Sequence, residues 1–129
     1  MASLFTKIVN AEIPCHKIAE NDEYLAFLDI NPLAKGHTLV IPKQEVDYIF
    51  DLNPDLYTGL WNFARTVAAK IENAIPCERI GIAVVGLEVP HAHIHLIPLN
   101  HVEDINFSRP KLQLSAEELE NIARSISGN

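Results

Sequence analysis

The sequence contains one run in which histidines alternate with apolar residues, His91-Ala92-His93-Ile94-His95-Leu96-Ile97-Pro98. Side chains of a β-strand alternate between its two faces, so a strand here projects all three imidazoles from one face and the intervening apolar residues toward a core. Successive imidazoles would then stand roughly 7 Å apart, at about 3.3 Å per residue. The chain has six histidines in all, and three of them fall within five positions, which favours a functional cluster over a polar strand face.

Two kinds of chemistry suit three imidazoles on one face. Neutral histidine is a common metal ligand, so His91, His93 and His95 could hold a metal ion. Histidine also serves as a nucleophile or acid–base group near neutral pH, with neighbouring groups that orient it. The run by itself leaves both alternatives open.

Composition narrows the class of protein. A chain of 129 residues, 48% of them hydrophobic, is most simply one domain over residues 1–129. A formal net charge of −7 argues against a protein that binds a nucleic acid polymer through a basic surface, but not against one that binds a mononucleotide. We find no apolar run of membrane-spanning length and no signal-like N-terminus, so we expect no membrane partner. Two cysteines, Cys15 and Cys77, in no metal-binding spacing suggest a cytoplasmic protein.

Local patterns predict five short strands and two helices. Asn53 and Pro54 form a helix start, and apolar residues recur from there at helical spacing to about Ala74. A capping box at Ser115 predicts a second helix to about Ser125. The predicted strands are 17–20, 24–28, 37–42, 79–85 and 91–98, with the last two joined by a tight turn. This order predicts an α+β fold: an antiparallel sheet with one long helix and a short C-terminal helix.

Three segments resemble one family. Residues 91–97 match His-φ-His-φ-His-φ-φ, where φ is apolar, the signature of the histidine triad (HIT) superfamily of nucleotide hydrolases and transferases. Residues 29–43 resemble its Asp-φ-x-Pro and Gly-His-φ-φ-φ-φ-Pro-Lys pattern, and residues 5–14 are similar to its N-terminal Phe-x-Lys-Ile segment. The match is to the small branch that acts on nucleoside phosphoramidates and related adenosine nucleotides.

The resemblance implies a mechanism and an assembly. His93 would attack the α-phosphorus of a nucleoside 5′-phosphoramidate or phosphoanhydride, and water would then cleave the nucleotidyl-imidazole intermediate. His91 and a backbone carbonyl would orient His93, His95 would bind the phosphate, and His37 would support the cluster. No cofactor is needed when imidazoles and backbone N–H groups stabilise the charge that develops on the phosphate. The implied assembly is a homodimer whose two five-stranded sheets join.

The resemblance also implies the residues that bind an AMP-like purine nucleotide. Asp29 matches the acid that binds both ribose hydroxyls, although a turn-forming role before Asn31-Pro32 is the ordinary alternative. The positions that would wall the base can equally be plain core; they are Leu4, Phe5, Ile8, Phe27, Leu28 and Ile30.

The segment before the histidine run departs from the family pattern. Many relatives carry Gly-Gln-Ser or Gly-Gln-Thr there, whereas this chain has Gly86, Leu87 and Glu88. A carboxylate repels a phosphate unless it is protonated or paired. We therefore expect Glu88 to contact a nearby histidine or to favour a leaving group that carries an amine; an outward-facing role is equally open.

We expect no structural metal. Some bacterial relatives bind zinc through two cysteines near the N-terminus and two histidines, but the cysteine positions here are Ser3 and Thr6, and a third ligand position is Glu45. The roles of His101 and of the Cys15-His16 pair are left open.

Two other functions compete with hydrolysis. A metalloprotein built on the histidine run would leave the other two matching segments unexplained. A nucleotide-binding sensor or scaffold with little turnover is favoured by the departures at Leu87 and Glu88. It predicts tight binding of a nucleoside monophosphate with negligible hydrolysis.

Overall fold

A computed structural model describes residues 2–128 of the chain. Met1 and Asn129, the ends of the expected domain, lie outside the described residues. Residues 2–128 contain three α-helices and five strands, together with short 3₁₀ turns at Ile49–Asp51 and Val102–Ile105. The elements are α1 (Leu4–Val9), β1 (Lys17–Glu20), β2 (Tyr24–Leu28), β3 (Thr38–Pro42), α2 (Pro54–Ala74), β4 (Arg79–Ala83), β5 (Ile94–Leu99) and α3 (Ala116–Ser127).

The five strands form one antiparallel sheet in the order β1-β2-β3-β5-β4. The predicted α+β fold class is therefore confirmed. The helix α2 begins where the sequence predicts, because the Asn53 side chain accepts a hydrogen bond from the Leu56 N–H and Pro54 occupies the first turn. No helix among residues 2–128 is both long enough and apolar enough to cross a membrane.

Both faces of the sheet are covered. The face under α2 and α3 carries the larger apolar cluster, to which the apolar residues of the histidine run, Ala92, Ile94 and Leu96, belong. The opposite face carries a smaller cluster under α1, made of Phe5, Leu25, Phe27, Leu39 and Ile41. Because both faces are covered, every residue of β2 and of β3 is buried, and imidazoles on the second face lie in an apolar setting.

The expected tight turn before the histidine run is wrong. The connection between β4 and β5 covers residues 84–93, and β5 begins only at Ile94. His91 and His93 therefore precede the strand. The backbone there turns away from β3, since the Ala92 N–H donates to the Val46 carbonyl at 2.7 Å. The alternation of side chains survives this change, because Ala92 still packs with the helices.

Two further elements differ from the sequence prediction. Helix α1, absent from the prediction, is a single short stretch of six residues whose start is capped by the Ser3 side chain. Helix α3 extends to Ser127, slightly beyond the expected end, and Gly128 closes it in a left-handed conformation.

Gly59, in the middle of α2, lies against the ring of Tyr24. A Cβ placed on Gly59 would clash with the oxygen of the Tyr24 hydroxyl group, and this group donates a hydrogen bond to the Leu56 carbonyl at 3.0 Å. Helix propensity alone favours Gly59→Ala by about 1 kcal/mol. We expect the opposite: a loss of about 1–3 kcal/mol in the free energy of unfolding, because the helix must move away from β2.

Urea denaturation of Gly59→Ala measures this loss. In a Tyr24→Phe background, which removes the clashing oxygen, the same substitution should cost less. Equal costs in both backgrounds, or a stabilised single variant, would contradict this packing account.

Candidate active site

Four histidines meet on the α1 side of the sheet. His91, His93 and His95 come from the run at the start of β5, and His37 precedes β3, the neighbouring strand. All four are buried, with between 0% and 8% of the residue surface exposed. The sequence prediction that these four imidazoles gather at one place is thus matched by the geometry, and their hydrogen bonds define what each ring can do.

The hydrogen bonds of His93 define which ring nitrogen carries its proton. Nδ1 of His93 lies 2.7 Å from the carbonyl oxygen of His91. A carbonyl only accepts, so Nδ1 holds the proton and donates it. In the neutral ring Nε2 then carries the free lone pair, which makes it a nucleophile. Phe5 packs edge-on against this ring, with 5.0 Å between the ring centroids.

His37 and His95 form a chain of hydrogen bonds. The Leu33 N–H donates to Nδ1 of His37 at 3.0 Å, so the proton of neutral His37 sits on Nε2. The Nε2–H group of His37 donates a hydrogen bond to Nδ1 of His95, with 3.0 Å between the two nitrogens. Neutral His95 must therefore carry its own proton on Nε2. This series of hydrogen bonds leaves His95 with a free Nε2–H group beside His93, and the centroids of the two rings are 4.9 Å apart.

His91 serves a structural purpose within the cluster. Its Nε2 donates to the Pro42 carbonyl at 2.8 Å, and its Nδ1 therefore accepts from the Ser3 hydroxyl at 2.9 Å. The group of His91 that contacts His93 is its carbonyl oxygen, so the expected orienting role would belong to this oxygen and not to the ring. The His91 ring is engaged at both nitrogens by other partners.

Burial keeps all four imidazoles neutral at pH 7. Desolvation lowers the pKa of His37 from 6.5 to about 3 and that of His95 to about 4, with neighbouring histidine charges adding to the effect. Desolvation also lowers the pKa of His91 and of His93. For His93 the hydrogen bond to the His91 carbonyl and the charges of Asp29 and Glu88 act in the opposite direction.

Asp29 lies beside His37, at the end of β2. One carboxylate oxygen accepts from the Asn31 N–H at 2.9 Å, which is the turn-forming role, and the other lies 3.6 Å from Nε2 of His37. Burial raises the pKa of this carboxyl group. The turn therefore uses one oxygen and leaves the second available at the edge of the cluster.

One group among the described residues has the ligand atoms and spacing that could hold a metal ion, namely Asp29, His37 and His95. One ligand atom from each lies within 4.8 Å of the others. The metal alternative considered from the sequence, His91 with His93 and His95, is not the set that converges. In the converging set Nε2 of His37 carries the proton that it donates to His95, so a metal ion there would have to displace that proton.

The apolar residues expected to wall a base fall into three groups. Phe5 and Phe27 are buried and stack edge-on at 5.5 Å between centroids, with Ile8 packed beside them. Leu4 and Ile30 are exposed next to the site. Leu28 is a correction: it belongs to the cluster under α2 and α3, on the other face of the sheet, because it follows Phe27 in a strand.

The segment before the run is exposed. Leu87 keeps 87% of its surface in contact with solvent, and Glu88 is exposed as well. Glu88 makes no hydrogen bond within residues 2–128, although its charge raises the pKa of both His93 and Asp29. Leu87 borders a groove of about 370 Å³ whose lining includes His93. Apolar side chains of the groove include Tyr48, Phe50, Trp61, Val84 and Val85.

The segment after β5 adds a wall that sequence reasoning missed. The ring of Phe107 packs edge-on against His95, with 4.9 Å between centroids, and Lys111 donates to the Phe107 carbonyl at 2.6 Å. The Leu112 N–H donates to the Pro32 carbonyl, which ties this segment to the loop after Asp29. Phe107 lies in an irregular stretch with no periodicity, so no sequence signal marks it.

The three residues whose roles the sequence leaves open lie in other contacts. The His101 side chain caps the 3₁₀ turn Val102–Ile105 together with Asp104, and His101 is exposed. His16 contacts Glu120 of α3 at 2.9 Å, and its neighbour Cys15 packs at the border of the smaller apolar cluster.

Acid should destabilise the fold through these histidines. The unfolded chain takes up histidine protons near pH 6.5, whereas folded His37 and His95 resist protonation until about pH 3 and 4. The free energy of unfolding should therefore fall as the pH drops below 6.5, by about 1.4 kcal/mol per pH unit for each group. Above pH 6.5 these groups contribute no pH dependence.

Urea denaturation between pH 7.5 and 4.5 measures this slope. His37→Asn, which keeps an acceptor for the Leu33 N–H, should make the slope shallower by one histidine's share. Parallel curves for the variant and the original chain would show that His37 is not held neutral.

Comparisons with known proteins agree with this geometry. The family model of the HIT domain matches residues 10–102. The adenosine 5′-monophosphoramidase of Schizosaccharomyces pombe is 35% identical, over 98% of this chain and 97% of its own length. A Hit-like protein from Bartonella henselae superposes with a TM-score of 0.85 at 27% identity, over 98% of this chain and 95% of that one. A Zn-bound histidine triad family protein from Mycobacterium smegmatis superposes with a TM-score of 0.82 at 26% identity, over 99% of this chain and 92% of that one.

Proposed function

This chain belongs to the HIT family of nucleotide hydrolases, and we propose that it cleaves nucleoside 5′-phosphoramidates or related adenosine phosphoanhydrides at the α-phosphate through a nucleotidyl-His93 intermediate. One observation carries this proposal. The hydrogen bonds of the cluster leave His93 with an unprotonated Nε2 and give its neighbour His95 a free Nε2–H. A nucleophile and a hydrogen-bond donor for the phosphate therefore lie side by side, and both rings are neutral at pH 7.

The reaction has two displacements. Nε2 of His93 attacks the α-phosphorus, a P–N bond forms, and the bond to the leaving amine or phosphate breaks as that group departs with a proton taken up from solvent. The His91 carbonyl stabilises the positive charge that develops on the ring, because it accepts a hydrogen bond from the Nδ1–H group. His95 donates to a phosphate oxygen. Water then attacks phosphorus and releases a proton to solvent, the P–Nε2 bond breaks, and the nucleoside monophosphate leaves. The scheme needs no cofactor.

An AMP-like purine nucleotide fits the surroundings of the cluster. The second oxygen of Asp29 can accept from the ribose hydroxyls while the first holds the turn. Ile30, 62% exposed beside Asp29, and Ile8 above Phe5 and Phe27 offer apolar surface to a base. Leu28 is left out of this wall because it faces the helices. Exposed Glu88 lies where its charge could pair with an amine on the leaving group.

Both cysteines are free thiols, which supports our proposal that the protein works in the reducing cytoplasm.

A binding module with little turnover is the second candidate, and the exposed segment before the run favours it. Leu87 and Glu88 make no described polar contact that could orient a phosphate or a leaving group. Such a protein would bind a nucleoside monophosphate through the same pocket without completing the reaction.

Hydrolysis of adenosine 5′-phosphoramidate, with a diadenosine polyphosphate in parallel, tests the proposal. We expect turnover that EDTA does not inhibit and that His93→Ala lowers by at least about a thousandfold, because the nucleophile is lost. His101→Ala, at an exposed histidine outside the cluster, is the matched control and should retain activity.

Three results would count against this proposal. EDTA-sensitive turnover would favour a metal mechanism, and full activity in His93→Ala would remove His93 as the nucleophile. Tight AMP binding without turnover in the original chain would favour the binding module.

The edge of the sheet supports a homodimer as a further proposal. β4 is an edge strand with one partner, β5. Its exposed apolar residues continue beyond its end: Ile82 is 52% exposed, Val84 38% and Val85 46%. An unpaired apolar edge is a surface that natural proteins cover. Antiparallel pairing of two β4 strands would join the sheets of two copies into one.

Ile82→Lys should convert the dimer to a monomer, because a charge would be buried in the new sheet. Size-exclusion chromatography with light scattering gives the mass. Glu117→Lys, an exposed charge change on α3 near the opposite edge, should leave the dimer intact. A monomeric original chain, or an unchanged mass for Ile82→Lys, would contradict the proposed interface.

A further inference from the structure

Glu45 lies in the loop after β3 and binds the start of α1. Its Oε1 accepts two hydrogen bonds, from the backbone N–H of Ser3 and from the hydroxyl of Thr6, each 2.6 Å long. These bonds hold the pKa of the Glu45 carboxyl group down to about 2, so it is charged at any physiological pH. Glu45 itself is exposed and touches neither His93 nor His95 in the hydrogen-bond network.

The residues that Glu45 holds lead directly to the histidine cluster. The buried Ser3 hydroxyl accepts from the Thr6 N–H at 3.0 Å and donates to Nδ1 of His91 at 2.9 Å. The Thr6 hydroxyl lies 3.4 Å from the same nitrogen. The carboxylate thus holds the backbone of Ser3 and the side chain of Thr6, and the hydroxyl groups of these two residues face Nδ1 of His91.

The end of β3 and the loop after it, which carries Glu45, bind residues 91 and 92 through other atoms. The Pro42 carbonyl accepts from Nε2 of His91 at 2.8 Å, and the Val46 carbonyl accepts from the Ala92 N–H at 2.7 Å. Glu45 sits between these two acceptors in the chain. It therefore joins this loop to the start of α1, and the two segments contact the adjacent residues His91 and Ala92.

We propose that Glu45 is a positioning residue for the proposed reaction: by tying α1 to the loop after β3, it fixes the carbonyl of His91 that orients the nucleophile His93. The proposal rests on the proposed function. Two contacts to His93 depend on this tie. The His91 carbonyl accepts from its Nδ1 at 2.7 Å, and Phe5, carried by α1, packs against its ring.

The chemistry of the tie predicts which substitution restores it. Both hydrogen bonds enter the same oxygen, Oε1, and an amide oxygen can accept two hydrogen bonds as well. Glu45→Gln therefore keeps the tie while it removes the charge, and Glu45→Ala removes the tie. Gln44→Ala is the matched control, since Gln44 is exposed next to Glu45 and makes no hydrogen bond in the described part of the chain.

Steady-state hydrolysis of adenosine 5′-phosphoramidate by the full chain separates these variants. We expect Glu45→Ala to lower kcat by about 10- to 100-fold with KM within about twofold, because a misplaced nucleophile slows the chemical step more than it weakens binding. Glu45→Gln should recover kcat to within about threefold, since its amide oxygen accepts the same two hydrogen bonds. Gln44→Ala should match the original chain.

A second readout does not depend on activity. NMR gives the solvent exchange rate of the His93 Nδ1 proton, and the Ile94 amide in β5 serves as an internal reference for the strand. Glu45→Ala should speed the Nδ1 exchange relative to the Ile94 amide, and Glu45→Gln should restore it.

The proposal is overturned if Glu45→Ala behaves like Gln44→Ala in both readouts. It is also overturned if the variant loses activity only as the whole strand exchanges faster, which would be a general loss of stability. If the original chain shows no turnover, the proposed function fails, and the exchange rates alone decide whether Glu45 positions His93.

Discussion

The hydrogen bond from Nδ1 of His93 to the carbonyl oxygen of His91, 2.7 Å long, is the interaction on which the site depends. It places the proton on Nδ1, and the free lone pair of the neutral ring must then be on Nε2. The bond exists because the backbone at residues 91–93 has left the sheet: the Ala92 N–H binds the Val46 carbonyl instead of a strand neighbour. A strand that continued through these residues would give the His91 carbonyl to a ladder partner.

Burial is the second constraint, and it acts on all four imidazoles together. The sheet is covered by α2 and α3 on one face and by α1 and the residue 107–112 segment on the other, so each ring is removed from water. Desolvation favours the neutral form of histidine, and each ring then needs one donor and one acceptor as partners. The Leu33 N–H begins such a series at His37, and its last member, His95, has an unshared N–H for a substrate. The same burial makes the fold sensitive to acid.

Much of this could be predicted from the sequence, for identifiable reasons. The caps at Asn53 and Ser115 and the apolar spacing of α2 are local signals, and the helices begin where those signals stand. The alternating run placed three imidazoles on one face, and the resemblance added His37 and Asp29. The sequence could not show that β5 starts at Ile94, because that depends on the loop after β3 competing for the backbone. Nor could it place Phe107, since contact with His95 arises from the path of an irregular segment.

The central claim is that neighbouring groups fix the tautomer of each ring. Long-range ¹H–¹⁵N NMR of the protein with labelled histidine, at pH 7.5, reads the protonated nitrogen directly. The account predicts Nδ1–H for His93 and Nε2–H for His37, His91 and His95. An Nε2–H tautomer for His93, or rapid exchange between its two neutral forms, would contradict it, because the proposed nucleophile would then lack a defined lone pair on Nε2.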